Sequence, residues 1–336
     1  MLSLGELWAE TRVAARMIRM NPEQRRAFES LELRVRAILP EEYQDCYDEV
    51  EPVSMGSASL KFGRDGKVAW QDMWVTFCDL AMAGGPPHKG RLLLPGSRTE
   101  VEADPDRYQH AVDEICRGIT MLTELPAAAS PVPGWIRVEC ATATTAAWLA
   151  RAIVMENVSA RCEGTNLYLP AGPAYRIEKE IKNVITAMAK TCHYWLDHTP
   201  AAQQRQIEDL FGAIAAESPL IQPAAAGFDV LPDSGPVDIG PANIDPQVRN
   251  QMASNIQAAT GLVASEISCD GWFGVVCPDM KAAIWMMRAM VVSNVLARRE
   301  DTTLFVAINP VTDPGGEIVT RILTRVHGFA RVRDIL

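Results

Sequence analysis

The sequence predicts an α+β protein made of two tandem homologous units, each a small mixed or antiparallel sheet covered by helices, related by a pseudo-twofold axis. Three observations carry this. Residues 134–167, "GWIRVECATATTAAWLARAIVMENVSARCEGTNL", match residues 271–304, "GWFGVVCPDMKAAIWMMRAMVVSNVLARREDTTL", without a gap. Gly134 falls on Gly271, Trp135 on Trp272, Cys140 on Cys277, Trp148 on Trp285, Arg151 on Arg288, Asn157 on Asn294 and Arg161 on Arg298. A repeat this long means two homologous domains rather than an array. Strand, helix, hairpin and helix signals follow in the same order in each half, the pattern of a sheet with helices over it. The chain has 336 residues, enough for two ordinary domains. The expected division is a helical N-terminal segment at 1–52, a first unit at 53–200 and a second at 201–336.

Taken in order, "MLSLGELWAETRVAARMIRM" reads as an amphipathic helix, with Glu6, Glu10 and Arg12 where a signal peptide needs an unbroken apolar core. A second helix starts at the cap Asn21 with Pro22 in its first turn. The acidic run "EEYQDCYDEVE" reads as solvated. "ASLKFGRDGKVAW" predicts a hairpin turning at Asp65-Gly66. A helix over 68–82 leads to the loop "AGGPPHKG" and the extended piece "RLLLP". Pro105 opens a helix reaching about 124. "WIRVEC" alternates as a strand does. "TTAAWLARAIVMEN" has the helical period, with Ala147, Trp148, Ile153 and Val154 on its apolar side. "VSARC" and "NLYLP" flank Glu163-Gly164-Thr165 as a hairpin. "YRIEKEIKNVITAMAKTCHYWL" closes the unit as a long helix. Extended outward, the same register lays "RLLLPGS" (91–97) on "FDVLPDS" (228–234) and "WQDMWVTFCDLA" on "IEDLFGAIAAES".

A net charge of -10 opposes general nucleic-acid binding, which needs a basic surface. No integral membrane segment is expected, because "AAIWMMRAMVVSNVLARRE" is interrupted by Arg288 and Asn294. Eight cysteines at wide spacing, with no CxxC pair, read as free thiols of a cytoplasmic protein. No metal-ligand cluster, Walker loop, GxGxxG after a strand, HExxH or GxSxG is present, and the sequence does not specify whether a cofactor is used.

Residues shared by the two halves serve the common fold. Trp148/Trp285, Cys140/Cys277 and Asn157/Asn294 are therefore structural, and Arg161 and Arg298 read as structural ion pairs. Polar residues confined to the first half carry the functional expectation. In the ungapped register His88 falls on Ala225, Lys89 on Ala226, and Cys78 and Asp79 on Ala215 and Ala216. Gly84 and Gly85 suit backbone N–H groups gathered around an anion. Along the last helix Lys179, Lys182, Asn183, Thr186, Lys190 and His193 share a face. Their counterparts are Gly316, Val319, Thr320, Leu323, His327 and Ala330. The expectation is an enzyme acting on a small anionic metabolite by acid–base chemistry. His88 and His193 would move protons. Gly84, Gly85, Lys89, Lys179, Lys182, Lys190, Asp79 and Cys78 would hold the ligand. The alternative is a non-catalytic ligand-binding or assembly protein; a homo-oligomer fits either.

Overall fold

The computed structural model describes residues 12–44, 59–73, 80–225, 227–229, 245–267 and 269–336. Cys78, Asp79 and most of the acidic run lie outside them. Helical turns at 12–18 precede helix α1, Pro22–Ala37. Its N-terminus is the one the sequence predicts. The Asn21 side chain accepts from Gln24 N at 2.8 Å, and the Gln24 side chain accepts from Asn21 N at 3.2 Å. This reciprocal cap satisfies two of the donors a helix start leaves open. Phe28, Leu31 and Val35 form the buried face. The predicted hairpin is present, with Phe62 bridging Val68 antiparallel and Gly66 at φ 75°. The described parts of the expected 68–82 helix are two short 3₁₀ turns, Trp70–Met73 and Ala81–Ala83. Gly84, at φ 101°, ends the second turn in a left-handed conformation that suits glycine.

The first unit contains α2 (Arg98–Ala103), α3 (Pro105–Thr123), β1 (Ala127–Ala129), β2 (Trp135–Glu139), α4 (Ala143–Met155), β3 (Arg161–Glu163), β4 (Asn166–Pro170) and α5 (Lys182–Asp197). A π-helical turn, Ile177–Ile181, leads into α5. Helix α6 (Ala201–Glu217) joins this unit to the second: α7 (Pro246–Thr260), β5 (Val263–Ala264), β6 (Trp272–Val276), α8 (Met280–Val291), β7 (Ala297–Glu300), β8 (Thr303–Ala307) and α9 (Glu317–Val332). Each unit has a four-stranded antiparallel sheet flanked by helices, and the strand orders correspond: β1-β2-β4-β3 and β5-β6-β8-β7. Period-two alternation sets the first sheet's faces. Ile136, Val138, Leu167 and Leu169 are fully buried, while Arg137 and Glu139 are exposed. Strand β1 was not legible in "PAAAS". Alanine has little strand preference, and the edge forms through backbone pairing of Ala127 with Val138 and Ala129 with Ile136.

In and just beyond the matched stretch several backbone hydrogen bonds recur at the same interval, as when Cys140 N donates to Thr165 O and Cys277 N to Thr302 O. Ala171 N donates to Gly134 O at 2.8 Å and Ile308 N to Gly271 O at 3.0 Å. Further out, the ungapped register fails. Leu93 bridges Val158 and Ile221 bridges Val295, both parallel. The first partners lie 128 residues apart and the second 137. "RLLLPG" therefore corresponds to "PLIQPA" at 219–224, not to "FDVLPD". The second unit reaches this point directly from α6, with no Gly-Pro loop. By the same interval His88 stands opposite Ala216 and Lys89 opposite Glu217, inside a helix. The last helices are also offset by one residue. Ile181, Val184, Ile185, Met188 and Cys192 are buried on α5 and its leading turn, as Val319, Ile322, Leu323, Val326 and Ala330 are on α9. Lys182, Asn183, Lys190 and His193 thus stand opposite Thr320, Arg321, Gly328 and Arg331. The second unit keeps cations on this face, against the expectation that it loses them.

Trp148 and Trp285 are both fully buried, as predicted. Trp148 Nε1 donates to Ile38 O at 2.9 Å, so α1 and its C-terminal cap close over the core. Helix α4 packs on β7, bringing the units into direct contact. Among the described residues no helix is long and apolar enough to cross a membrane.

Candidate functional site

The Gly-Pro loop and α5 do meet, and the group between them is a carboxylate at the C-cap of α4. Glu156 Oε1 accepts from Ala81 N at 2.8 Å; Oε2 accepts from His88 N at 2.9 Å and lies 2.7 Å from Lys190 Nζ. Both side chains of this ion pair are buried, Glu156 at 0% exposure and Lys190 at 1%. The N–H groups that reach this anion are those of Ala81 and His88 and not those of the expected glycines, since Gly84 N donates to Ala81 O and Gly85 N to Leu80 O, both at 3.1 Å; the anion belongs to the chain itself. His88 Nε2 lies 3.0 Å from Asn183 Oδ1, an arrangement that places a proton on Nε2. Burial, together with the nearby Lys190 charge, pushes the His88 pKa down to about 4. Its imidazole is neutral at pH 7. Lys89 is pushed down by burial, with Glu180 opposing.

Gly85 contributes a carbonyl, which accepts from Arg299 Nη2 at 3.0 Å. Lys190, Asn183, His88 and the loop are therefore one cluster. Lys179 is exposed at 57% beside Glu180, and Lys182 is half-buried. His193 lies ten residues beyond Asn183, a helical distance of about 15 Å. It contacts Asp197 and His198 instead. His88 and His193, each nominated to move protons, lie at different places along α5, His88 against Asn183 and His193 beside Asp197. None of the described sequence-nominated residues lines the cavity described next.

That cavity, of about 290 Å³, lies between the units. Equivalent residues of both contribute: Trp135 and Trp272, Pro95 and Pro223, Gly96 and Ala224. Its polar wall includes Arg98, Glu100, Asp270, Ser159 and Arg161. An apolar lining with few polar groups is the usual composition of a small-molecule site. Arg161 is held from three sides. Its guanidinium donates to Pro223 O, pairs with Asp229 at 3.1 Å and stacks 4.8 Å from the Phe228 ring. Its Nε has no hydrogen-bond partner among the described residues. Burial pushes the Arg161 pKa down, opposed by Asp229.

Arg161 belongs to a wider set. Arg151, Arg161, Arg288, Arg298, Arg299 and Lys190 are buried among the described residues, against the acids Glu156 and Asp313. Several of these cations hold neutral groups across the units: Arg151 Nη2 to Asn294 Oδ1 at 2.6 Å, Arg288 Nε to Met82 O at 2.8 Å and Arg298 Nη1 to Asn157 Oδ1 at 3.2 Å. The ion-pair reading of Arg161 and Arg298 agrees with the structure, the latter pairing with Glu300 at 2.6 Å. Such buried charged clusters give the protein a capacity to bind an anion. No group of three or more His, Cys, Asp or Glu side chains among the described residues is placed to hold a metal.

Glu156 was missed by sequence reasoning, although a signal was present. It interrupts the apolar run "AIVMENV" where the second unit has Ser293, the same one-sided polarity that singled out His88. No protein-family model, curated protein or solved structure matches this chain.

Proposed function

We propose that the protein is a non-catalytic binder of a small anionic ligand with an apolar body, held in the cavity between the two units. We infer further that the units arose by duplication and pack about a pseudo-twofold axis, with the divisions near residues 52 and 200. The matched Trp and Pro pairs that both line the cavity support this. The observation carrying the functional reading is Arg161, a cation 97% buried at the cavity wall with Nε unpartnered. Trp135, Trp272 and the prolines would take the apolar part. Free thiols support a reducing, cytoplasmic setting. The six described cysteines are unpaired, and burial pushes Cys116, Cys140, Cys192 and Cys277 up to about 12.

The test is thermal stabilisation by a panel of small organic carboxylates and phosphates. A ligand at one hundred times its Kd stabilises by about 2.7 kcal/mol. Arg161→Gln should weaken such a ligand by about 1.5–3 kcal/mol, the worth of a charge-assisted hydrogen bond. Ala224→Leu, which fills the cavity, should abolish binding. Equal stabilisation of all three proteins would place the site elsewhere. Exposed apolar side chains favour assembly as a second reading. Val263 and its cross-strand neighbour Val276 are 55% and 43% exposed, with Ile267 at 50% nearby. A homo-oligomer through this edge should dissociate in Val263→Lys, as read by sedimentation.

A further inference from the structure

The residues lining the cavity bear charges of both signs, Arg98 and Arg161 against Glu100 and Asp270. Three of the four have partners. Glu100 Oε2 accepts from Ser97 N and from Ser97 Oγ, both at 2.8 Å, in the cap of α2. Arg98 is exposed and extends towards Glu102, 3.9 Å away. Arg161 is paired with Asp229, which leaves Nε as its open donor. Asp270 is different. It is half-buried, and its carboxylate has no hydrogen bond or ion pair among the described residues. An aspartate in a turn commonly accepts from a backbone N–H, as Asp65 does from Lys67 N at 3.1 Å. Asp270, in the turn before β6, makes no such bond. The shared fold does not call for it either. Gly271 matches Gly134, so Asp270 falls on Pro133, which lines the same cavity. One copy of the wall carries a carboxylate where the other carries an apolar ring.

We propose that the ligand of this cavity is a zwitterion with an apolar body, of the amino-acid or short-peptide class, its carboxylate held by Arg161 and its ammonium by Asp270. This rests on the reading of the cavity as a ligand site and names the second charge that ligand carries. Charge balance is the reason. Asp229 already neutralises Arg161. A ligand bearing a carboxylate alone would therefore add a negative charge to a wall that holds Asp270 unpaired, and like charges in a partly desolvated site repel. A ligand ammonium beside Asp270 removes that repulsion and adds a charge-assisted hydrogen bond. Trp272, two residues further on, lines the same wall, and an aromatic face attracts a cation. The two charged groups come from different units, so one ligand would bridge the halves of the chain.

The test is calorimetric titration of the full chain with L-leucine, L-phenylalanine and glycyl-L-phenylalanine, each beside the acid that lacks only its amino group. At least one of the three should bind, and at least about tenfold more tightly than its deaminated counterpart, the worth of one charge-assisted hydrogen bond. Asp270→Asn should erase that preference by weakening the zwitterion while leaving the deaminated acid as strong or stronger. Arg161→Gln should weaken both. Deaminated acids that bind the parent as tightly as the zwitterions overturn the proposal while leaving the anion site in place. A preference that survives in Asp270→Asn also overturns it. Binding of none of the three zwitterions overturns it too, and stabilisation by simple carboxylates and phosphates then decides separately whether the cavity is an anion site at all.

Discussion

Asn157 and Asn294 adopt left-handed backbone at φ 59° and 64°, a conformation asparagine tolerates better than most side chains. Their backbone carbonyls accept from Leu93 N and Ile221 N, both at 2.8 Å, and Asn157 Nδ2 also reaches Arg299 O at 2.8 Å. Repetition in the sequence marked these residues, and the tryptophans, as structural. Trp148→Ala should therefore destabilise by about 3–5 kcal/mol in urea denaturation. A mutant of parent stability would contradict its place in the core. His88 makes a sharper case. A buried histidine with a lowered pKa favours the fold while neutral, so its contribution is complete above pH 6.5. It is lost as pH falls through about 4. Stability should drop by up to about 3 kcal/mol over that range relative to His88→Leu. Parallel pH profiles for the two proteins would show His88 to be solvated. The sequence marked His88 as special to the first unit but gave no sign that burial would lower its pKa, because Glu156 and Lys190 are distant in the chain.

Among the elements, strong periodic signals were legible: α1 with its cap, α3, β2, α4 and the hairpin β3–β4. The short edges β1 and β5 were not, since their pairing is supplied by β2 and β6 rather than by side chains. The flanking register was misplaced because "RLLLPGS" and "FDVLPDS" look alike, whereas partner strands decide pairing in space. Where α4 ends, the Glu156–Lys190 pair ties the loop, α4 and α5 together. Lys190→Met should cost about 3–5 kcal/mol by leaving a buried carboxylate unpaired. The double change Glu156→Gln with Lys190→Met should recover part of that loss, because each group's burial cost depends on the other. Additive effects in denaturant titrations would mean that the pair does not couple.

Across the whole molecule, the units are joined by buried hydrogen bonds rather than by a linker and a loose interface. Asn157 receives Arg298, Asn294 receives Arg151, and Met82 and Gly85 offer carbonyls to Arg288 and Arg299. Thermal unfolding should therefore be a single transition, with tryptophan fluorescence and far-ultraviolet dichroism coinciding. Two separated transitions would show that the units fold independently. These bonds also set an order of events during synthesis. Met82 O and Gly85 O wait for donors 206 and 214 residues further along the chain. At about 5–20 residues per second, ribosomes take roughly ten to forty seconds to make those donors. For that interval the nascent first half exposes the surface that will later be its interior, and it is then that a chaperone or a protease has its best access.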